Sequence, residues 1–373
     1  MAAPPVGEAS DDDVPGVESA DGMTGAEELG FDAMTEEELD QLLAEMEEED
    51  ELNLAGDTDA AGRIELPGDH APIGVMQDHL HDKGDWMLSY RFMRHDMGGN
   101  RKAVERVDDA DVLSVDGFGF SETPTTLTME THMFGLMYGV TDSVTVAAMV
   151  PFVEQEMKHL TRSGERFTTE SSGLADITVA ALVRIYEDDT SQAHLNLGFS
   201  APTGSITETD TTFSSAPDET ILPYPMQLGS GTWDLRPGIT YTGQEPGWSW
   251  GTQALATLRL GRNDRDYSLG DRLDLTAWGA WHATDVVSFS TRMALSRVKN
   301  IDGADSELDA AANPAADPTL RAGTRLDAFV GVNAVLGAGN RLAVEAGWPL
   351  SQNLSGPQLE TDTMVTLGWQ LSF

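Results

Sequence analysis

From residue 84 to the final Phe373, apolar and polar side chains alternate with a period of two, in twelve separate runs. The runs cover about 84–95, 126–140, 143–157, 174–186, 192–202, 232–242, 247–261, 270–282, 285–297, 323–336, 340–350 and 361–373. In the first, Trp86, Leu88, Tyr90 and Phe92 share one face, and Met87, Ser89, Arg91, Met93 and His95 share the other. The connections constrain the fold further. Long ones alternate with tight ones such as TDS at 141–143, EDDTS at 187–191, GQEPG at 243–247 and GAGN at 337–340. A meander with all tight turns on one rim and all long loops on the other is the plan of an outer-membrane barrel. The expected fold class is therefore all-β, an antiparallel up-and-down transmembrane β-barrel of about twelve strands. An even strand count puts both termini on the tight-turn, periplasmic rim.

A soluble sandwich also alternates, so the polar face has to decide between the two. Here it carries charges in mid-run: Arg91, Asp176, Arg184, Asp234, Arg236, Arg259, Asp274, Arg292, Arg325, Asp327, Arg341 and Glu345. Facing lipid at mid-membrane, an arginine costs about 2–4 kcal/mol. Facing a wet lumen, it pairs with a carboxylate across the strands. These residues are thus expected to form a lumen charge network, with the apolar face turned to outer-membrane lipid. Trp86, Tyr138, Trp233, Trp248, Trp281, Trp348, Trp369 and Phe373 fall toward run ends, where interfacial aromatic girdles belong. No apolar stretch approaches the ~20 residues of a membrane-spanning helix.

The net charge of −41 is unevenly spread: residues 1–66 hold 22 acids and a single base, Arg63. So acidic a chain does not suit nucleic acid, which needs clustered cations. Residues 1–30 have too few large apolar side chains to fold, and disorder is expected there. TEEELDQLLAEMEEED, from Thr35, opens with the capping box Thr35/Glu38 and sets Leu39, Leu42, Leu43 and Met46 on one stripe. This spacing predicts a short acidic helix over about 35–50, either solvated or docking to a periplasmic partner. The chain divides into an acidic extension, 1–82, and a barrel, 83–373. With no cysteine, soft-metal chemistry falls to Met and His.

The last run, TDTMVTLGWQLSF at 361–373, ends an amphipathic strand on Phe373 and resembles the signal read by the barrel-assembly machinery of Gram-negative bacteria. Further segments are APIGVMQDHLHDKGDWMLSYRFMRHDM at 71–97, LPYPMQLGSGTWDLRPGITYTG at 222–243 and LRLGRNDRDYSLGDRLDLTAW at 258–278. With the end from Ser355 to Phe373, they resemble a family of outer-membrane transporters related to the phenol meta-pathway degradation barrels. The resemblance implies an outer-membrane transport barrel, and its Met- and His-rich start implies the type associated with copper and heavy-metal resistance. The acidic first 66 residues lie outside it.

Nine of the 16 methionines and five of the eight histidines lie between residues 76 and 159. Parity turns Met87, Met93, Met129, Met133, Met137, Met149 and Met157 inward, with His95. Met93, His95, Met97, Met129 and Met157 gather toward the outer mouth, and His79 and His81 in DHLHD toward the periplasmic rim. Thioether and imidazole suit Cu(I), so the candidate metal residues are Met93, His95, Met97, Met129, Met133, Met137, Met149, Met157, His79 and His81. Copper or another soft ion is the favoured cargo, and no cofactor is required. Methionine is also a flexible filler of apolar interiors, which leaves a channel for small hydrophobic or aromatic compounds, or a structural barrel with no open pore. By parity Glu154 and Glu156 face lipid, so they must stand above the bilayer, or a bulge must shift their run. No G-x-S-x-G, P-loop or H-E-x-x-H motif occurs, so an enzyme is not expected.

Overall fold

The computed structural model describes residues 70–373, and the helix expected over 35–50 lies outside them. Eleven strands close an antiparallel barrel. They are β1 (Trp86–Ala103), β2 (Glu122–Thr141), β3 (Val144–Thr161), β4 (Thr178–Glu187), β5 (Ser191–Ser200) and β6 (Trp233–Glu245). After these come β7 (Trp248–Leu260), β8 (Arg272–His282), β9 (Val287–Val298), β10 (Gly323–Gly337) and β11 (Asn340–Ser372). Each pairs with its sequence neighbours, and β11 returns to β1.

The long β11 reverses on itself. Its first limb pairs with β10 from Asn340↔Gly337 to Leu354↔Gly323, and its second with β1 from Leu354↔Ala103 to Ser372↔Met87. Eleven elements therefore make twelve crossings of the wall. The long loop expected at 351–360 is instead the extended top of this hairpin, held where Thr361 N donates to Gln352 Oε1 at 2.9 Å.

The wall is uneven in height. β1 to β3 run 18 to 20 residues, against 10 to 13 for β4 to β9. On the tall side two short strands join the sheet outside the barrel, Glu105–Val107 on β1 and Arg166–Leu174 on β3. Glu154 and Glu156 stand on this extension, opposite Glu130 and Thr128. The β2–β3 register runs unbroken from Thr126↔Lys158 to Gly139↔Thr145, so height, not a bulge, keeps these acids out of lipid.

Outward positions are apolar and exposed, among them Leu88, Phe134, Val146, Val179, Leu275, Val330 and Leu367. At the short-turn rim Trp86 packs on Tyr138 with ring centroids 4.4 Å apart, Trp281 stacks on Phe289, and Trp369 Nε1 donates to Asn340 Oδ1 at 3.1 Å. Phe152, Phe199, Trp233 and Trp348 mark a second exposed band toward the long loops. Two aromatic girdles around an apolar belt are what a lipid-facing wall requires.

The long loops fold inward and lean on one another. Leu222 and Met226 are fully buried against Leu127 and Met157 of the inner wall, and Ser171 Oγ donates to the Met226 carbonyl at 2.8 Å. Tyr224 and Tyr267 meet edge to face beside Ile301, and Arg265 Nη2 holds Asp305 Oδ1 at 2.8 Å.

A plugged lumen as candidate transport site

The chain enters its own barrel. Residues 70–82 precede β1, yet their side chains are largely buried: Ile73 is 1% exposed and Val75 3%. The division at residue 82 therefore marks where the strands start, not where the packed body starts. Backbone groups of this plug are bound around the circumference. Arg91 Nε donates to the Ile73 carbonyl at 3.1 Å, Arg341 Nη2 to Ala71 at 2.7 Å and Gln253 Nε2 to Met76 at 3.0 Å. His194 Nε2 meets the Gln77 carbonyl at 3.0 Å, and His81 N donates to Thr145 Oγ1 at 2.8 Å. A segment with no regular structure can be buried only if its peptide groups find such partners. The inward-facing polar side chains of the wall supply them.

Two glycines make the close approach possible. A Cβ on Gly74 would collide with the Arg292–Glu345 pair, and a Cβ on Gly368 of β11 would collide with Ile73. Ala71 and Val75 then pack on Trp278, and Leu80 packs on Met87, Met137 and Leu182. Burial opposes the charge on Asp78 of the plug. Even so, the neighbouring His79, then His70 and Arg341, hold its carboxyl well below the ordinary range.

The charges expected on the inner wall divide between ion pairs and other work. Arg292 and Glu345 form a buried bidentate pair at 2.9 and 2.6 Å, with the guanidinium 3.7 Å from the Phe329 ring. Arg259 pairs with Asp234, Arg325 with Asp327 at 2.8 Å, and Arg272 with Asp274 at 2.7 Å. Arg236 Nη1 donates to Thr178 Oγ1 at 3.0 Å. Four members do other work. Arg91 and Arg341 hold the plug, and Arg184 pairs with Glu187 at 2.7 Å at the short-turn end of β4. Asp176 accepts from Gly204 N at 3.0 Å and from Ser230 N at 2.8 Å, so it braces the long loops instead of joining the network.

The inward methionines divide into three groups. Met137 joins Met87 in the apolar cluster beneath the plug residue Leu80. Met97 and Met157 join Leu127, Leu222 and Met226 beneath the inward loop. Between them Met93, Met129 and Met133 are half-buried on the inner face, with Met149 buried below. There His95 sits directly opposite Met129 of β2 on one side and Met364 of β11 on the other. This puts two thioethers beside one imidazole in a single cross-strand row. Met364 was not among the sequence candidates, although its parity with Thr366 and Gly368 turns it inward. His79 and His81, expected near a solvated rim, are buried within the plug, where His70 and Asp78 accompany them.

A closed barrel with a lipid-facing belt, a charged inner wall and its own residues 70–82 in the lumen belongs to the class built like outer-membrane channels. Residues 109–348 match the family described as "Putative MetA-pathway of phenol degradation", and the chain belongs to that family. Comparison with curated proteins gives no match. Among solved structures it is similar to the COG4313 outer membrane channel from Pseudomonas putida F1. The identity is 13% over 82% of this chain and 100% of that one, with a TM-score of 0.56. It is more distantly similar to the translocator domain of the autotransporter NalP from Neisseria meningitidis, at 11% identity over 78% and 90% of the two chains and a TM-score of 0.42. A Pseudomonas aeruginosa FadL homologue gives 10% identity over 78% and 90%, with a TM-score of 0.40. At such identities the likeness is one of fold.

Proposed function

We propose that this protein is an outer-membrane channel, with its short-turn rim and both termini in the periplasm, that passes a soft metal ion along a Met- and His-bearing wall. Cu(I) is the favoured cargo. The observation that carries this reading is the cross-strand row Met364–His95–Met129. Its donors suit a thiophilic ion, and weak neutral ligands let the ion leave as readily as it binds. Met93 and Met133 extend the same inner face. The exposed terminal Phe373, paired with Trp86 through two backbone hydrogen bonds, supports recognition of the last strand by the barrel-assembly machinery.

The test is Ag(I) or Cu(I) titration of the purified barrel, with Met93, Met129, Met133 and Met137 changed to Leu and, separately, Met129 and Met364 changed to Leu. Both variants are expected to lose bound ion. Unchanged stoichiometry in both refutes the soft-metal reading. A second reading, passage of a small apolar or aromatic solute, is favoured by the apolar cluster of Leu127, Met157, Leu222 and Met226 under the loops and by the phenol degradation in the family's description. Flux of a small aromatic into proteoliposomes above that into empty liposomes supports it. A structural barrel gives neither signal.

A further inference from the structure

Three side chains of the plug converge with the spacing of a metal's ligands. His79 Nδ1 lies 3.1 Å from Asp78 Oδ1 and 3.4 Å from His70 Nδ1. One ligand atom from each of the three falls within 4.8 Å of the others, and all three residues are less than one-tenth exposed. The histidine rings meet edge to face, with centroids 4.3 Å apart. The carboxylate is pinned through its other oxygen, Oδ2, which accepts from Ala71 N at 2.8 Å. A ring nitrogen carries at most one hydrogen, so His79 Nδ1 cannot donate to both of its neighbours. A single cation satisfies all three groups at once. A tetrahedral zinc ion with bonds of ~2.0–2.1 Å sets its ligand atoms ~3.3 Å apart, the spacing found between the two histidines and close to that between His79 and Asp78.

We propose that His70, Asp78 and His79 form a site for a divalent transition-metal ion of the Zn2+ type, which staples the plug by tying residue 70 to residues 78 and 79. Two imidazoles and a carboxylate are the donors of such an ion, whereas Cu(I) prefers thioether or thiolate. The proposal therefore does not rest on the cargo. A cleft of about 280 Å3 leads to His70; Arg184 and Glu187 pair on its lining, and Asp82, Asp188 and Asp189 give it a net negative charge that favours a cation. Staple and plug share one loop, so the ion's binding energy adds to the stability of the plugged state.

The full-length protein in detergent, stripped with a chelator, is titrated with Zn2+ alone by calorimetry and with Co2+ alone by visible absorption. Wild type is expected to take up one high-affinity equivalent and to show the intense bands of tetrahedral cobalt. His70→Gln and His79→Gln are each expected to weaken binding at least tenfold and to lose the bands, while heat-modifiable gel migration shows the barrels folded. The four-methionine variant is expected to keep both signals, so a failure of the cargo reading leaves this one standing. Zn2+ binding of wild-type affinity in both histidine variants, or none in wild type, overturns the site. For the staple, planar-bilayer conductance is expected to fall on adding Zn2+ to wild type and not to change in His70→Gln. Equal wild-type conductance with and without Zn2+ overturns the staple.

Discussion

Replacing Gly74 with valine is expected to prise the plug from the lumen. The Cβ would lie 2.5 Å from Arg292 Nη2 and closer still to Glu345 Oε2. Both atoms end flexible side chains, but neither is free to swing. The pair is bidentate, Arg292 is 8% and Glu345 2% exposed, and Phe329 lies against the guanidinium. Breaking a buried pair costs about 3–5 kcal/mol, whereas a small-to-large clash relieved by shifting one element costs about 1–3 kcal/mol. The cheaper route is for the plug to move. At 1.4 kcal/mol per tenfold change, the ratio of displaced to seated plug is expected to rise about 5- to 150-fold. Conductance in planar bilayers reads the displacement as longer or more frequent openings, and limited proteolysis within 70–82 reads it as faster cleavage. Wild-type conductance and proteolysis from a correctly folded Gly74→Val barrel refutes the reasoning.

Arg292→Met leaves Glu345 buried without its partner and is expected to destabilise the barrel by about 3–5 kcal/mol, read as a lower urea midpoint in detergent. Arg292→Met/Glu345→Leu is expected to recover most of it, and equal losses in single and double variants contradict this account. Burial pushes the Tyr267 phenol up to about 12. Its ordinary value is about 10, so the folded loops disfavour the ionised form. Tyr267 thus adds stability to the loop cap that is fully present below about pH 10 and lost as the pH rises through about 12. Phenolate absorbance should show this tyrosine titrating after the exposed ones, and Tyr267 ionising with them at pH 10 rules the packing out. Phe134→Arg in the lipid-facing belt is expected to cost about 2–4 kcal/mol, while Glu154→Arg on the tall extension is expected to cost little. Similar unfolding midpoints for the two would put the belt in the wrong place.

The barrel was legible because a strand's inner and outer faces differ in every second residue. Trp86 to His95 already carry the whole wall pattern, and Met149 and Met157, turned inward by the same parity, are buried. The height of β1 to β3 was legible only as one of two readings of Glu154 and Glu156, because above the membrane both faces of a strand meet water and the alternation no longer reports lipid. The plug was missed for a related reason. Residues 70–82 have neither helical nor strand period, and what buries them is peptide-to-side-chain bonding spread over Arg91, Gln253 and Arg341, residues up to 270 positions away. A lone H-x-H reads as linker, and only the return of the chain brings His70 to Asp78 and His79. Met364 went unnoticed because it is the single methionine of its strand. Its meaning comes from β11 lying beside β1.

The plug is attached to the wall it blocks. Gly84 and Asp85 lead straight from it into β1, whose first residue, Trp86, is sealed to Phe373 by backbone hydrogen bonds of 2.8 and 2.9 Å. A short tether of this kind holds its occupant at an effective concentration on the order of millimolar, whatever the dilution of the protein outside. A solute using this lumen competes with a resident that never diffuses away, so its flux depends on how far it outbids the plug for the same inner-wall groups, Arg91, Gln253 and Arg341 among them. Weakening the tethered resident raises flux for every cargo alike, whereas changing the wall above it selects among cargoes.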